Sequence, residues 1–212
     1  MKIKFNDEGV TLIELLVVLV ITGMLVAGLY RILIAQSKAY TVQDQVAEVQ
    51  QNIRNAMGIL VRDLTMAGCD DESNLITLNN PLPLVADNAI TVSYEYFNQT
   101  TLSTELHTVA YNLMGTNLVR QLAVGGVANP SEVISENVDQ LIFTYGIDTD
   151  NDGYVNNWVN AGGVGTSMVI AVRVQLAARP TQVSPDLSTV SPRGLDSIVA
   201  MRNQVIRSLK LQ

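Results

Sequence analysis

A chain of 212 residues has room for one sizeable core, and nearly half of its residues are hydrophobic. A formal charge of −7, with Lys and Arg scattered along the chain, excludes nucleic-acid binding through a clustered basic surface. One cysteine, Cys69, and one histidine, His107, exclude an internal disulfide and a closed tetrahedral zinc site.

The first nine residues, Met1 to Gly9, are polar and carry Lys2 and Lys4. From Val10 to Tyr30 the chain is apolar apart from Thr11, Glu14, Thr22, Gly23 and Gly28, about the 20 residues a helix needs to cross a hydrocarbon core. No small-residue cleavage site follows this run, which continues as Arg31-Ile32-Leu33-Ile34, so the order is wrong for an ordinary secretory signal. Glu14 is the anomaly. A carboxylate inside a spanning segment is costly, but the Leu, Ile and Val side chains around it outweigh that cost. It still needs a partner. A free α-amino group at Val10 would serve, on its own chain or on an identical neighbour shifted along the helix axis. Snorkelling to the interface beside the helix N-terminus is the alternative.

Gly9-Val10-Thr11-Leu12-Ile13-Glu14-Leu15-Leu16-Val17-Val18 resembles the type IV prepilin signature. The resemblance implies cleavage after Gly9 by a prepilin peptidase and N-methylation of Val10 as the new first residue. It implies pairing of Glu14 with the amine of an adjacent subunit during filament assembly. It further implies a single-pass inner-membrane protein, N-terminus cytoplasmic, that later joins other major or minor pilins in an extracellular filament. The family usually has Phe or Met where Val10 stands, a departure that bears on the efficiency of methylation rather than on the assignment. Other pilins unwind near the depth of Gly23 and Gly28, and each glycine costs roughly 1 kcal/mol relative to Ala in a helix interior. A helix that loosens between these two residues on entering the filament is therefore expected.

Beyond Arg31 the helical pattern becomes amphipathic. Val42, Val46, Val49, Ile53, Met57, Leu60 and Leu64 recur at spacings of three and four and form one apolar stripe. Gly68 is expected to end the helix as its C-cap. Strand signals follow at Ile90 to Tyr96 and at Val109 to Leu113. A turn at Gly115-Thr116-Asn117 leads into Leu118 to Leu122, and further strands are expected at Leu141 to Tyr145 and Met168 to Leu176. The tail, Val205 to Leu211, reads as a last strand. Gly125-Gly126 and Gly162-Gly163 read as loops, and the turn-rich stretch Pro180 to Pro192 as a mobile one.

The expected fold is α+β, a long N-terminal helix packed on a C-terminal antiparallel β-sheet. It divides into a leader (1–9), a membrane and filament-core helix (10–30), its amphipathic continuation (31–68) and a sheet domain (69–212). Periodicity alone reaches this pilin-like architecture. Arg62 to Gly68, Phe143 to Asp148 and Val172 to Leu176 resemble segments of the PilW-like minor pilins in particular.

Asp148-Thr149-Asp150-Asn151-Asp152-Gly153 is the opening half of a calcium loop, in which alternate carboxylates can converge on one cation and glycine permits the sharp turn. Val159 stands where an EF-hand requires its bidentate glutamate, so this is not an EF-hand. Tyr154 can offer a backbone carbonyl and Asn156 a side-chain oxygen. The alternative is an acidic, solvated turn. No enzyme signature is present: His107 has no identifiable nucleophile beside it, and neither a P-loop nor a nucleophile elbow occurs. The protein is not expected to be an enzyme or to require a cofactor, calcium apart.

The resemblance implies a minor pilin that initiates or caps a type IV pilus. A pseudopilin of type II secretion shares the leader and the fold. A membrane-tethered, calcium-responsive adhesin or binding module is the reading from another class. Cleavage at Gly9 and a carboxylate at Glu14 favour the first, because a simple anchor needs neither.

Overall fold

A computed structural model describes residues 9–70, 80–180 and 191–210; most of the loop expected between Pro180 and Pro192 lies outside them. The chain forms two compact units, Met1–Asp44 and Gln45–Gln212, and helix α1 (Leu12–Met66) contributes to both.

From Leu12 to Tyr30, in the first unit, the helix is apolar apart from Glu14 and Thr22 and exposed on every side, with Leu12 83% and Met24 72% accessible. An all-round apolar helix belongs in a core or in a bilayer. This one is long and apolar enough to cross a membrane, and none of its most apolar stretch is buried within the chain. The Thr22 hydroxyl donates to the Val18 carbonyl at 2.7 Å, so its polar group is satisfied inside the helix, as a lipid environment demands.

In the second unit α1 buries the expected stripe from Val49 onward, through Ile53, Met57, Leu60 and Leu64, joined by Ala56, whereas Val42 and Val46 at its start are only partly buried. The helix stops at Met66, and Gly68 follows with a φ of +76°, a left-handed conformation in which a Cβ would be strained. The carbonyls of Thr65, Met66 and Ala67, at the end of the helical ladder, accept from the side-chain amide of Asn203 at 3.2, 3.5 and 3.3 Å, and that of Met66 also from the Cys69 N–H at 2.9 Å.

Two antiparallel sheets make up the rest. The first joins β1 (Leu84–Val85), β2 (Ile90–Asn98), β3 (Ser103–Met114) and β4 (Asn117–Val124) in that order; β5 (Val127–Ala128) and β6 (Glu132–Ser135) both pair with β4. The second has the order β10 (Arg193–Ala200), β9 (Met168–Ala178), β7 (Val138–Asp148), β8 (Asn157–Val159). Residues with the period-two pattern meet across the ladders: Tyr111 faces Ile90, Phe143 faces Val174 and Tyr145 faces Val172. All six are buried in one continuous core with the α1 stripe. The loop before β2 ties the sheets together, since the Asp87 carbonyl accepts from the Phe143 N–H at 2.8 Å and the Ala86 carbonyl from the Tyr145 hydroxyl.

Two expectations are corrected. The tail is not a strand: Arg202–Lys210 forms helix α3, with Met201 and Gln204 buried at helical spacing. Met201, Val205 and Leu209 recur every four residues, and that period outweighs the short alternation read there. Gly162 and Gly163 lie not in a loop but in the short helix α2 (Ala161–Val164).

Candidate functional site

The chemistry-bearing residues fall at three places. The first is the start of α1. Gly9 and Val10 are exposed and precede the helix. Thr11 is its N-cap, and Thr11-Leu12-Ile13-Glu14 closes a capping box. One Glu14 carboxylate oxygen accepts from the Thr11 N–H at 3.0 Å and from its hydroxyl at 3.1 Å, and the Glu14 N–H donates back to that hydroxyl at 3.4 Å. The carboxylate therefore rests against the residue next to Val10. Gly23 and Gly28 lie in unbroken helix, and a Cβ at either would meet nothing within 4 Å. Packing within the subunit gives no reason for either glycine.

The second place is the turn between β7 and β8. Asp148, Asp150 and Asp152 converge there, each offering an oxygen within 4.8 Å of the others. Asp148 is 1% exposed, and its carboxylate accepts from the N–H groups of Asp150, Asn151 and Gly153 at 3.2, 2.7 and 2.9 Å. Burial alone would push this carboxyl up; the backbone donors, Gly153 foremost, more than reverse that and hold it below its ordinary value. Gly153, at φ +85°, allows the chain to turn back beneath it. Tyr154 points outward, 75% exposed, and its N–H donates to Asp152 at 2.8 Å. Asn156 uses its side-chain oxygen across the turn, accepting from the Thr149 N–H at 2.7 Å. The three aspartates can hold a hard cation such as calcium.

The third place was not anticipated. Asp63, on the buried face of α1, is 1% exposed. Its Oδ2 accepts from the Tyr111 hydroxyl at 2.6 Å and from Arg120 Nε at 2.8 Å, and its Oδ1 from Arg62 at 3.0 and 3.1 Å. Burial first, and then the bond to Asp63, raise the Tyr111 phenol far above its usual range. Tyr111 and Arg120 are cross-strand partners on β3 and β4. The network therefore fixes how the first sheet sits on the helix within this unit. The signal was present in the sequence: Asp63 falls on the apolar stripe and Arg120 on the apolar parity between Leu118 and Leu122, two opposite charges where hydrophobes are expected.

His107 is a packed strand residue, with Tyr94 and Tyr96 rings centred 5.5 and 4.9 Å away and the Glu105 carboxylate at 3.6 Å. Cys69 is half-buried against the core just after α1.

Two family models match the chain. The prokaryotic N-terminal methylation motif covers residues 4–30 and the type IV pilus-assembly protein W family covers residues 106–198. Comparison with curated proteins finds no match. The first match spans the capping box and the exposed apolar helix; the second spans β4 to β9 and most of β3 and β10. The fold, a long helix against antiparallel sheets, is that of a pilin-like structural protein and not of an enzyme. Over residues 106–198 the chain is thus similar to the PilW family of type IV pilus-assembly proteins, and it carries a prokaryotic N-terminal methylation motif at the head of a membrane-length helix.

Proposed function

We propose that this protein is a minor pilin that helps to initiate or cap a type IV pilus. The observation that carries the reading is the placement of Gly9, Val10 and Glu14 at the boundary between a polar leader and an exposed apolar helix. Prepilin peptidase cuts after Gly9 and methylates Val10. Before assembly the subunit sits in the inner membrane with its N-terminus cytoplasmic; afterwards it lies in the extracellular filament among other pilins. Glu14 exchanges its local partner, Thr11, for the N-terminal amine of a neighbour. An unpaired carboxylate in an apolar bundle is costly, and the neighbour's ammonium removes that cost. Between Gly23 and Gly28 the helix loosens on entering the filament, which an unbroken stretch of helical density in a filament map would refute.

Mass spectrometry of assembled material tests the reading. The leader should be absent and Val10 should carry one extra methyl group; an intact Met1 in filaments overturns it. Replacing Gly9 by a bulky residue should block cutting, whereas Gly9→Ala should only slow it. A deletion strain separates pilus from type II secretion, since loss of pili with secretion intact fits the minor pilin and the reverse fits a pseudopilin. The family match supports the pilus.

A calcium ion at Asp148, Asp150 and Asp152 is the second reading, favoured by the convergence of their oxygens within 4.8 Å. Millimolar calcium would then raise the melting temperature of the full chain in detergent, by an amount that grows with free calcium. Asp148→Asn with Asp150→Asn would abolish the gain. No shift at several millimolar calcium returns the loop to an acidic turn.

A further inference from the structure

We infer that the cleft between α3, the β7–β8 turn and the link from α2 to β9 binds an uncharged peptide segment of another protein chain. The cleft holds about 700 Å³ and lies wholly within the second unit. Gln204 on α3 lines it, only 8% exposed, and its side-chain amide makes no hydrogen bond with another described residue. The polar atoms of that amide are not sealed in the core; they open on the cleft. Three contacts fix α3 around it. The Met201 N–H donates to the Ile170 carbonyl at 2.8 Å, Asn203 bonds the end of α1, and Val205 lies so close to Gly153 that an added Cβ would meet it at 3.2 Å. A core-facing position one turn after the fully buried Met201 ordinarily takes a hydrophobe. An amide there is largely dehydrated and bonds nothing inside the chain, which costs stability. Only a group that enters the cleft can complete it.

The lining sets the chemistry of that group. Among the described lining residues the charged one is Asp148, buried and already held by three backbone N–H groups of its own turn. An anion is repelled by it, and a cation finds its carboxylate occupied. The other polar side chains are amides and hydroxyls. Ser167 is half-buried, and its hydroxyl also has no partner among the described residues. Leu82, Val164 and Val169, each at most 9% exposed, supply an apolar part of the lining. A side-chain amide is donor and acceptor at once, so one peptide bond, which offers the same two functions, matches it completely. The apolar lining suits an alkyl side chain next to that bond. A fatty chain would leave the amide and the hydroxyl unpaired, and a sugar finds no aromatic ring among the described lining residues to stack on. The inference depends neither on the pilus reading nor on a cation at the three aspartates.

The test uses the full chain in detergent micelles, titrated with an Ala-Leu-Ala tripeptide capped by acetyl and amide groups and followed by calorimetry. Saturable one-to-one binding is expected. Gln204→Met keeps the length and bulk of the side chain but removes its donor and acceptor, and should weaken binding by about tenfold or more, as loss of two hydrogen bonds implies. Because the amide bonds nothing inside the chain, this variant should keep or raise the wild-type melting temperature. The same tripeptide with every backbone nitrogen methylated has lost its donors and should not bind, and a capped Ala-Glu-Ala tripeptide should bind far less tightly. N-acetylglucosamine carries the same secondary amide on a sugar and should also bind far less tightly. No saturable binding of the first peptide, undiminished binding by Gln204→Met, or equal binding of the methylated or acidic peptide would each overturn the proposal. A lowered melting temperature in Gln204→Met would assign the amide to the fold, and equal binding of the sugar would assign the cleft to a glycan; either result overturns it as well.

Discussion

Helix α1 carries two carboxylates that meet the same difficulty in opposite ways. Glu14 sits among exposed apolar side chains and finds its partner three residues away, in the N–H and hydroxyl of Thr11. Asp63 sits in a closed core and finds partners 48 and 57 residues away, in Tyr111 and Arg120. A local partner can be exchanged without disturbing the fold, because nothing else rests on it. A tertiary partner cannot, because removing either side leaves a buried charge or hydroxyl unpaired. One carboxylate is thus free to take part in assembly, and the other is committed to the shape of the subunit.

The largest expected effect follows from the committed one. Asp63→Ala leaves the Arg120 guanidinium and the Tyr111 hydroxyl buried without their acceptor, and should cost about 3–5 kcal/mol in urea unfolding of the detergent-solubilised chain. Asp63→Leu combined with Arg120→Met removes the pair rather than breaking it and should recover much of that loss. A single-variant loss below about 1 kcal/mol would show that the network is worth no more than a surface ion pair.

Glu14 should behave in the reverse manner. Glu14→Leu should leave the unfolding midpoint unchanged and enter the membrane at least as well as wild type, yet incorporate poorly into filaments, as immunoblots of sheared filaments would measure. Normal incorporation would reduce Glu14 to a helix cap. Thr11 gives a smaller, sharper version of the same test. Thr11→Val removes the N-cap hydroxyl and should cost the first turn of the helix about 1 kcal/mol, while Thr11→Ser should cost little. Amide exchange at Leu15, whose N–H donates to the Thr11 carbonyl at 3.2 Å, reports fraying of that turn directly.

The same contrast between local and tertiary partners explains what could be read from the sequence. The apolar run, the stripe from Val49 to Leu64 and the strands around Tyr94, Tyr111, Phe143 and Val172 are periodic, and periodicity is local information. So is the prepilin-like motif, whose residues are neighbours in the chain. The Asp63 network was missed because its members are scattered and only register brings them together, although each breaks an apolar pattern. The division into two sheets was likewise hidden, since β1, β5, β6 and β8 are too short to show a period. The tail was misread because its short alternation lies inside a four-residue repeat, and its helix exists partly to cap another: Asn203 satisfies carbonyls at the end of α1. The cleft at Gln204 depends on which side chains lack partners, a property that no sequence displays.

Asp148 combines the two solutions, being buried like Asp63 and locally partnered like Glu14, and it should show the smallest effect. Its donors are backbone N–H groups of its own turn, which prefer the ionised carboxylate and hold it below its ordinary value. The sign follows from linkage. A carboxyl that titrates lower in the folded chain than in the unfolded one adds stability above its unfolded value, about pH 4. That contribution is lost as pH falls through the lower, folded value. From neutrality down to that region Asp148 should therefore contribute no pH dependence, and below it the wild type should lose stability faster than Asp148→Asn. Chemical unfolding of both chains across this range measures the difference. The two curves should be separated at neutral pH and converge in acid, because Asn keeps one acceptor and no charge. Parallel curves would mean that the turn holds its shape whether or not the carboxylate is ionised, so that the backbone, and not the charge, decides the geometry of the three aspartates.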